Sequence, residues 1–406
     1  MSALLSGLRI VECAAFIAAP FGSLNLAKLG AEVIRIDPVG GGVDQFRWPV
    51  TTQGHSLYWA GLNKGKRSVC LDLSRDEGRE VARALICAPG EDAGIFLTNL
   101  APRPWLSHEK LVELRSDLIT LQVVGNADGS TALDYTVNAA VGFPLVTGGA
   151  GEMGPVNHVL PAWDLLAGMT IATALLAAER RRRRTGQGHR MRLALSDVAL
   201  AACGDLGYLA EVQVNGCERQ RLGNHIYGAF GHDFETADGR RIMVAAVSAH
   251  QWKALCTATA FEADAGLQDE SARHAARDAI AAGLAPWFRA RSLADAGAAL
   301  EAAGACWGPY QTFRQLLEDD PRCSTANPLF EDVSVAHLGT LLTPRSPIGV
   351  TDSSQPVPAL APPCLGEHTR SVLGQVLNLP EHAIEDLCRR GIARVPETAL
   401  PVSRSP

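Results

Sequence analysis

Among the chemistry-bearing side chains of this 406-residue sequence, Asp164 reads on pattern alone first as a helix cap and second as a nucleophile. It stands immediately before Leu165-Leu166-Ala167-Gly168-Met169, the opening of a long apolar stretch, where an aspartate is a typical helix N-cap. The same place suits a carboxylate nucleophile, which must be ionised at neutral pH, because helix N-terminal amides and the helix dipole stabilise negative charge. Other candidates are weaker. The turn Ala14-Ala15-Phe16-Ile17-Ala18-Ala19-Pro20-Phe21-Gly22 occupies the place of a G-x-G-x-x-G fingerprint but lacks its first two glycines. Phe16 and Ile17 would fill the path of a pyrophosphate, and Asp37 reads as a solvated strand end. Ten cysteines are scattered without a CxxC pair or regular spacing, which argues against a disulfide framework or a zinc site. The Arg180–Arg184 run ends a helical pattern, where cations meet the negative end of the dipole, and reads as a helix-end feature. His158 is a lone loop histidine and reads as structural.

An alternation of strands and helices must position these residues. Leu8–Glu12 and Ala31–Asp37 are short apolar strands flanking a helix over Phe21–Leu29 that stops at Gly30. Strands over Ser68–Leu73, Ala93–Thr98 and Leu118–Val124 follow, with helices over Glu77–Ile86 and His108–Arg115 between them. A long helix over Pro161–Arg184 and a strand over Met191–Leu195 come next. Such alternation predicts an α/β fold with a parallel sheet covered on both faces. Near residue 215 the texture changes. Asp238-Gly239 separates two apolar runs, Asp233–Ala237 and Arg241–Val247, as in a β-hairpin. Helices over Gln251–Ala258, Ala272–Ala282 and Leu293–Ala303 follow, giving a smaller α+β domain. Prolines between 344 and 363 mark an extended tether, and helices over Thr369–Leu377 and Pro380–Arg390 close the chain.

Composition is consistent with this reading and excludes other classes. Hydrophobic residues make up 47% and charged residues 20%, far from a disordered chain, and the length suits two domains. A net charge of −6 excludes a global pull on nucleic acid or anionic membrane. The most apolar run, Leu165–Ala178, falls short of the ~20 residues of a membrane span. No basic segment with an apolar stretch and cleavage site opens the sequence, so a cytoplasmic protein with free thiols is expected.

Several segments, in order along nearly the whole chain, resemble the class III CoA-transferase family. They are Leu5-Ser6-Gly7-Leu8-Arg9-Ile10-Val11-Glu12 with Pro20, Leu29-Gly30-Ala31-Glu32-Val33-Ile34-Arg35-Ile36-Asp37-Pro38, and Asn63-Lys64-Gly65-Lys66-Arg67-Ser68-Val69-Cys70-Leu71-Asp72-Leu73. Thr185-Gly186-Gln187-Gly188 with Leu195-Ser196-Asp197, and Leu365-Gly366-Glu367-His368-Thr369, complete the set. Four further segments are similar to one branch, whose members move CoA between the C1 and C4 carboxyls of mesaconate: Ala18-Ala19-Pro20, Leu57–Asn63, Asn157–Asp164 and Tyr227–Thr236.

The resemblance implies a Rossmann-like α/β large domain with an open parallel sheet, formed by 1–215 and 325–406, and a small α+β domain over 225–324. It implies two ring-shaped chains interlocked as a homodimer. The implied substrate is the CoA thioester of an unsaturated C5 dicarboxylate, with no cofactor beyond that CoA and no nucleic-acid or membrane partner. Asp164 takes the place of the family's nucleophile, which forms an anhydride and then an aspartyl-CoA thioester. Phe16, Ile17, Arg35, Leu71, Asn99 and Arg103 match or neighbour positions that line the CoA path. The plain alternatives are surface charge for the two arginines and core packing for Leu71. Arg47, after Gly40-Gly41-Gly42, is a candidate for a substrate carboxylate, and Asn138 is either a pocket or a capping residue.

The sequence also departs from the family. Where a racemase branch carries a proton-moving His before an Asp, this chain has Leu133-Asp134, which disfavours α-epimerisation. A flexible glycine run is replaced by Gly223-Asn224 and Tyr227-Gly228-Ala229-Phe230-Gly231. Tyr227, Phe230 and His232 are either bulk that crowds out an external acid or ordinary packing.

Overall fold

Short runs of β-branched and aliphatic residues form one sheet: β1 (Arg9–Cys13), β2 (Glu32–Asp37), β3 (Arg67–Leu71), β4 (Ile95–Thr98), β5 (Ile119–Val124) and β6 (His189–Ala194). The computed structural model describes residues 3–101, 103–349 and 357–396. Its sheet order is Ala393–Arg394, β3, β2, β1, β4, β5, β6, with β1 to β6 parallel and the two-residue strand antiparallel to β3. Both faces are covered, which is why Ile10, Val33, Ile34, Val69, Ile95 and Leu97 are 0% exposed. The chain runs outward from β1 to β3 on one side and from β4 to β6 on the other. The order therefore reverses between β1 and β4, whose carboxyl ends flank the place where open α/β sheets bind ligands.

Contacts divide the chain into two units, 1–137 with 160–206 and 321–406, and 138–159 with 207–320. The segment 138–159, which the sequence boundaries leave in the larger domain, thus groups with the second unit. In the first unit, helix α1 (Ala18–Ala27) starts earlier than its apolar spacing suggests. Pro20 is tolerated there because the first turn has no intrahelical N–H bond to lose. The first unit also holds α2 (Leu57–Leu62), and α3 (Asp134–Ala140) begins in it. The long α4 (Ala162–Thr185) and then α5 (Leu195–Asp205) follow.

Helix α4 has the length and hydropathy of a membrane span, yet Trp163, Ala167, Ile171, Leu175 and Ala178 pack into the unit. It lies against α1 through Gly22 and Gly168. A Cβ on Gly168 would stand 2.7 Å from Phe21, and one on Gly22 would stand 2.8 Å from Ile171. Only glycines allow that approach, which fixes the start of α4 against the β1–α1 turn. At the far end, Arg182 is buried on the carbonyls of Ala93 and Gly94, and Arg183 pairs with Glu179 and Asp92. Two of the five arginines thus tie down the helix end.

Residues 357–396 return to this unit. Gly65 N–H donates to Ala361 O at 2.9 Å, His368 N–H to Ser68 O at 2.9 Å, and Cys70 N–H to Thr369 Oγ1 at 3.0 Å. Residues 350–356 of the proline-rich tether lie outside the described residues. The antiparallel hairpin Phe330–Val335 with Gly339–Pro344 precedes the tether and was not legible from the sequence pattern. No disulfide joins the cysteines among the described residues.

The second unit is built on an antiparallel sheet of β7 (Phe230–Glu235), β8 (Arg241–Ala246) and β9 (Cys306–Pro309) in that order. Its hairpin turns at Asp238-Gly239, as expected. Helices α6 (Ala249–Thr259), α7 (Arg277–Arg289) and α8 (Leu293–Ala302) cover a core of Phe230, Phe234, Ile242, Val244, Trp252, Leu284, Phe288 and Leu300. The helix expected over Ala272–Ala282 is broken at Ala276, and a separate helix covers Glu270–Ala275. Arg273, 0% exposed, anchors that separate turn by donating to the Leu267 and Gln268 carbonyls.

Candidate active site

Asp164 is the third residue of α4 and not its cap. The cap position is Pro161, which offers no side-chain bond. Asp134, the first residue of α3 and 5% exposed, supplies the missing acceptor. Its Oδ2 receives the backbone N–H of Trp163 at 2.8 Å and of Asp164 at 3.1 Å. A carboxylate from another element thus satisfies the orphan amides of α4, and the capping expectation for Asp164 is corrected. Among the described residues no hydrogen bond reaches the Asp164 carboxyl itself. Burial, and then the Asp134 carboxylate beside it, push the Asp164 carboxyl up to about 7, against the opposing pull of Arg47.

Arg47 lies in the loop between β2 and α2. Its guanidinium carbon stands 5.6 Å from the Phe16 ring centre and 5.3 Å from that of Tyr58. It has no carboxylate partner among the described residues. Tyr58, on α2, keeps its hydroxyl buried and without a hydrogen bond among the described residues. Burial foremost, with Asp164 adding to it, raises the Tyr58 hydroxyl above its ordinary range. Phe16 completes the group from the β1–α1 turn. It adopts the left-handed region at φ 65°, costly for a bulky residue, and remains 39% exposed. Phe16, Arg47, Tyr58 and Asp164 therefore form one cluster of a cation, two rings and a carboxyl. Ile17 is the half-buried residue preceding α1.

Three residues expected along a CoA path have other employment. Arg35 is 2% exposed, and its guanidinium is consumed by Glu12 at 3.0 Å, Asp37 at 2.8 Å and Asp44 at 3.0 Å. No face is left for a phosphate, so neither the ligand nor the surface-charge reading holds. Leu71, the last residue of β3, is 0% exposed in a core it shares with Val372, Leu373 and Ile384. Asn99 grips the backbone of Ala15 from both sides, accepting its N–H at 2.9 Å and donating to its O at 2.7 Å. It thereby holds the turn that carries Phe16. Arg103 differs: it is exposed, has no carboxylate partner among the described residues, and lines a cavity with Thr98, His108, Gln122 and Arg190. That lining suits a phosphate.

The remaining candidates lie in the second unit. Asn138 is 2% exposed and donates to Asn157 Oδ1 at 3.3 Å. Phe230 is 0% exposed and packs edge-on against Trp252. His232 stacks on His225 with ring centres 4.0 Å apart. Tyr227 is 52% exposed, donates to Glu211 Oε1 at 2.6 Å and lies over Arg219. Two residues that the structure brings beside Asp164 were not singled out in the sequence. Asp134 was noted only as the neighbour of Leu133, and Tyr58 only as part of a matching segment. Neither stands at a motif spacing relative to Asp164.

The profile of "CoA-transferase family III" matches residues 5–369. The chain is 49% identical to a 2-methylfumaryl-CoA isomerase of Chloroflexus aurantiacus, over 98% of this chain and 100% of that one. It is 28% identical to a succinyl-CoA:mesaconate CoA-transferase of Haloarcula marismortui, over 91% and 96%. In fold it is similar to a CAIB/BAIF family protein from Brucella suis, with a TM-score of 0.77 at 24% identity, covering 93% of this chain and 100% of that one. The match is carried by the whole length, from the β1–α1 turn to the helix after the tether, and on it the chain belongs to CoA-transferase family III.

Proposed function

We propose that the protein moves CoA between the C1 and C4 carboxyls of mesaconate, converting 2-methylfumaryl-CoA to its 3-methyl isomer. The observation that carries this reading is the Asp164 carboxyl facing the unpaired Arg47 cation, in a chain 49% identical to an isomerase of that name. The Asp164 carboxylate attacks the C1 thioester carbonyl, the C–S bond breaks, and CoA thiolate leaves behind a mixed anhydride. Thiolate then attacks the Asp164 acyl carbon, giving an aspartyl-CoA thioester and the free dicarboxylate. The C4 carboxylate attacks that thioester, thiolate leaves again, and its attack on the C4 carbonyl releases Asp164 as a carboxylate. One thioester replaces another, so the exchange calls for no ATP, metal or further cofactor.

Arg47 would hold the free carboxylate of the dicarboxylate, and the Tyr58 hydroxyl would donate to oxygen charge that develops beside Asp164. Phe16 and Ile17 would border the thioester, and Arg103 would meet a CoA phosphate. We propose a cytoplasmic homodimer without nucleic-acid or membrane partners. Leu166, Met169, Leu200 and Leu206, between 41% and 63% exposed on or beside α4 and α5, support self-association. Incubation with 2-methylfumaryl-CoA and hydroxylamine or borohydride, followed by peptide mass spectrometry, tests the reading. Modification at Asp164 with formation of the C4 ester is expected, and no adduct with no isomer would overturn it. Efficient exchange with free succinate or acetate would instead favour transfer between molecules.

A further inference from the structure

We propose that Asp134 is a positioning residue for the nucleophile: by taking both amides that open α4, it fixes the Trp163–Asp164 backbone and leaves the Asp164 carboxylate without a hydrogen bond. The inference rests on Asp164 being the nucleophile. A carboxylate in the first turn of a helix ordinarily gains from the free N–H groups and the positive dipole end, which make it a weaker base and a poorer nucleophile. Here those amides point elsewhere. The Trp163 and Asp164 N–H groups both end on Asp134 Oδ2, at 2.8 and 3.1 Å. Asp134 is itself buried, so water does not compete for the arrangement.

The groups around Asp164 oppose one another in charge. Asp134 on α3 disfavours the ionised form, Arg47 in the β2–α2 loop favours it, and Tyr58 on α2 adds a neutral hydroxyl. Burial and Asp134 together outweigh Arg47, and the carboxyl is pushed up to about 7. A group poised near the working pH combines a useful ionised fraction with high basicity. Asp134 acts on Asp164 through the backbone and through space, and makes no bond to its side chain.

The test is the pH profile of kcat/KM for wild type, Asp134→Asn and Asp134→Ser. Asparagine keeps an acceptor for the amides and removes the charge. Serine also removes the charge and, being one bond shorter, withdraws the acceptor from the Trp163 and Asp164 amides, so it tests the same role with a different side chain. Both variants are expected to move the acid limb down by about one pH unit or more. A limb that stays in place or moves up, including a uniform loss of rate at every pH, overturns the inference. Borohydride trapping at Asp164 in the same variants separates the two readings. An adduct with an unmoved limb removes only the role of Asp134, whereas no adduct in wild type removes the nucleophile itself.

Discussion

The Arg35 guanidinium donates from Nη2 to Asp44 Oδ2 at 3.0 Å, and Asp44 begins the turn that ends on Arg47. Around that bond lies a cluster of five buried charges. Glu12 accepts from Arg35 at 3.0 Å and from Lys66 at 3.1 Å, and Asp37 accepts from Arg35 at 2.8 Å. Burial holds the Lys66 ammonium down to about 8, while Lys66 and Arg35 outweigh burial at Glu12 and keep its carboxyl below the usual range. Such a cluster is costly to break because each removed partner strands a charge.

Replacing Arg35 by Met therefore leaves three acids with one lysine. The expected result is a loss of about 3–5 kcal/mol in urea unfolding, or no folded protein. Arg35→Lys keeps the charge but not the fork that reaches three acids. It is expected to lower stability and to displace the Arg47 loop, raising KM for the thioester while the affinity for free CoA stays within a few-fold. Unchanged stability with lost CoA affinity would return Arg35 to the phosphate.

Asp164→Asn separates chemistry from stability. Turnover should fall to background while thioester binding persists, since amide nitrogen cannot carry the exchange. The folded carboxyl sits at about 7, above its ordinary 3.8, so it titrates at higher pH folded than unfolded. Its contribution is fully present below about 4 and is lost as pH rises to 7, after which the penalty is constant. Because the group is partly solvated, that penalty is on the order of 1–3 kcal/mol. The Asn variant should match wild type at pH 4 and melt several degrees higher at pH 8. Equal melting temperatures at both pH values would show that Asp164 carries no burial penalty.

Much of the fold was written locally. The strands β1 to β6 and helix α4 follow from apolar runs and turn residues that need no distant partner. Asp164 was singled out by its match to the family's nucleophile position, because an aspartate heading an apolar run reads on pattern alone as a cap. The cap of α4 was not legible, since Asp134 is brought to it by the tertiary path and by no sequence interval. Arg35 misled for the same reason: an arginine in a strand next to an aspartate looks the same in sequence whether three acids surround it or a phosphate does. The grip of Asn99 on the Ala15 backbone was not legible either, because an amide that grips backbone and one that grips ligand are the same residue. The hairpin at 330–344 escaped because its turn, Ala336-His337-Leu338, lacks the Asn-Gly or Asp-Gly signal, and His337 adopts φ 64° without a glycine.

Arg47→Gln probes retention of the dicarboxylate. The guanidinium rests near the Phe16 and Tyr58 rings with no acid paired to it among the described residues, so a substrate carboxylate is its natural partner. Glutamine preserves donors and removes charge. At the aspartyl-CoA stage of the proposed mechanism the acid would be held by non-covalent bonds alone, and a weaker grip would let it leave. The variant is expected to raise KM at least ten-fold and to release free mesaconate during turnover, measured by chromatography of the products. A variant with wild-type KM and no released acid would remove Arg47 from the site.

Tyr227, Phe230 and His232 read in the sequence as either bulk that crowds out an external acid or ordinary packing, and the structure separates Phe230 from Tyr227. Phe230 is wholly buried against Trp252 in the core of the second unit, on the first residue of β7. Phe230→Ala should cost about 3–5 kcal/mol through the cavity it leaves. It should unfold the second unit before it opens any path to acceptors. Tyr227 is half-exposed, anchored by its hydroxyl to Glu211 and by its ring to Arg219. Tyr227→Phe releases the first anchor and Tyr227→Ala both, at little cost to the core. If this ring restricts acceptors, exchange of labelled succinate into the CoA pool should be absent in wild type, small in Tyr227→Phe and larger in Tyr227→Ala. No exchange in either Tyr227 variant would leave its contact with Arg219 as packing.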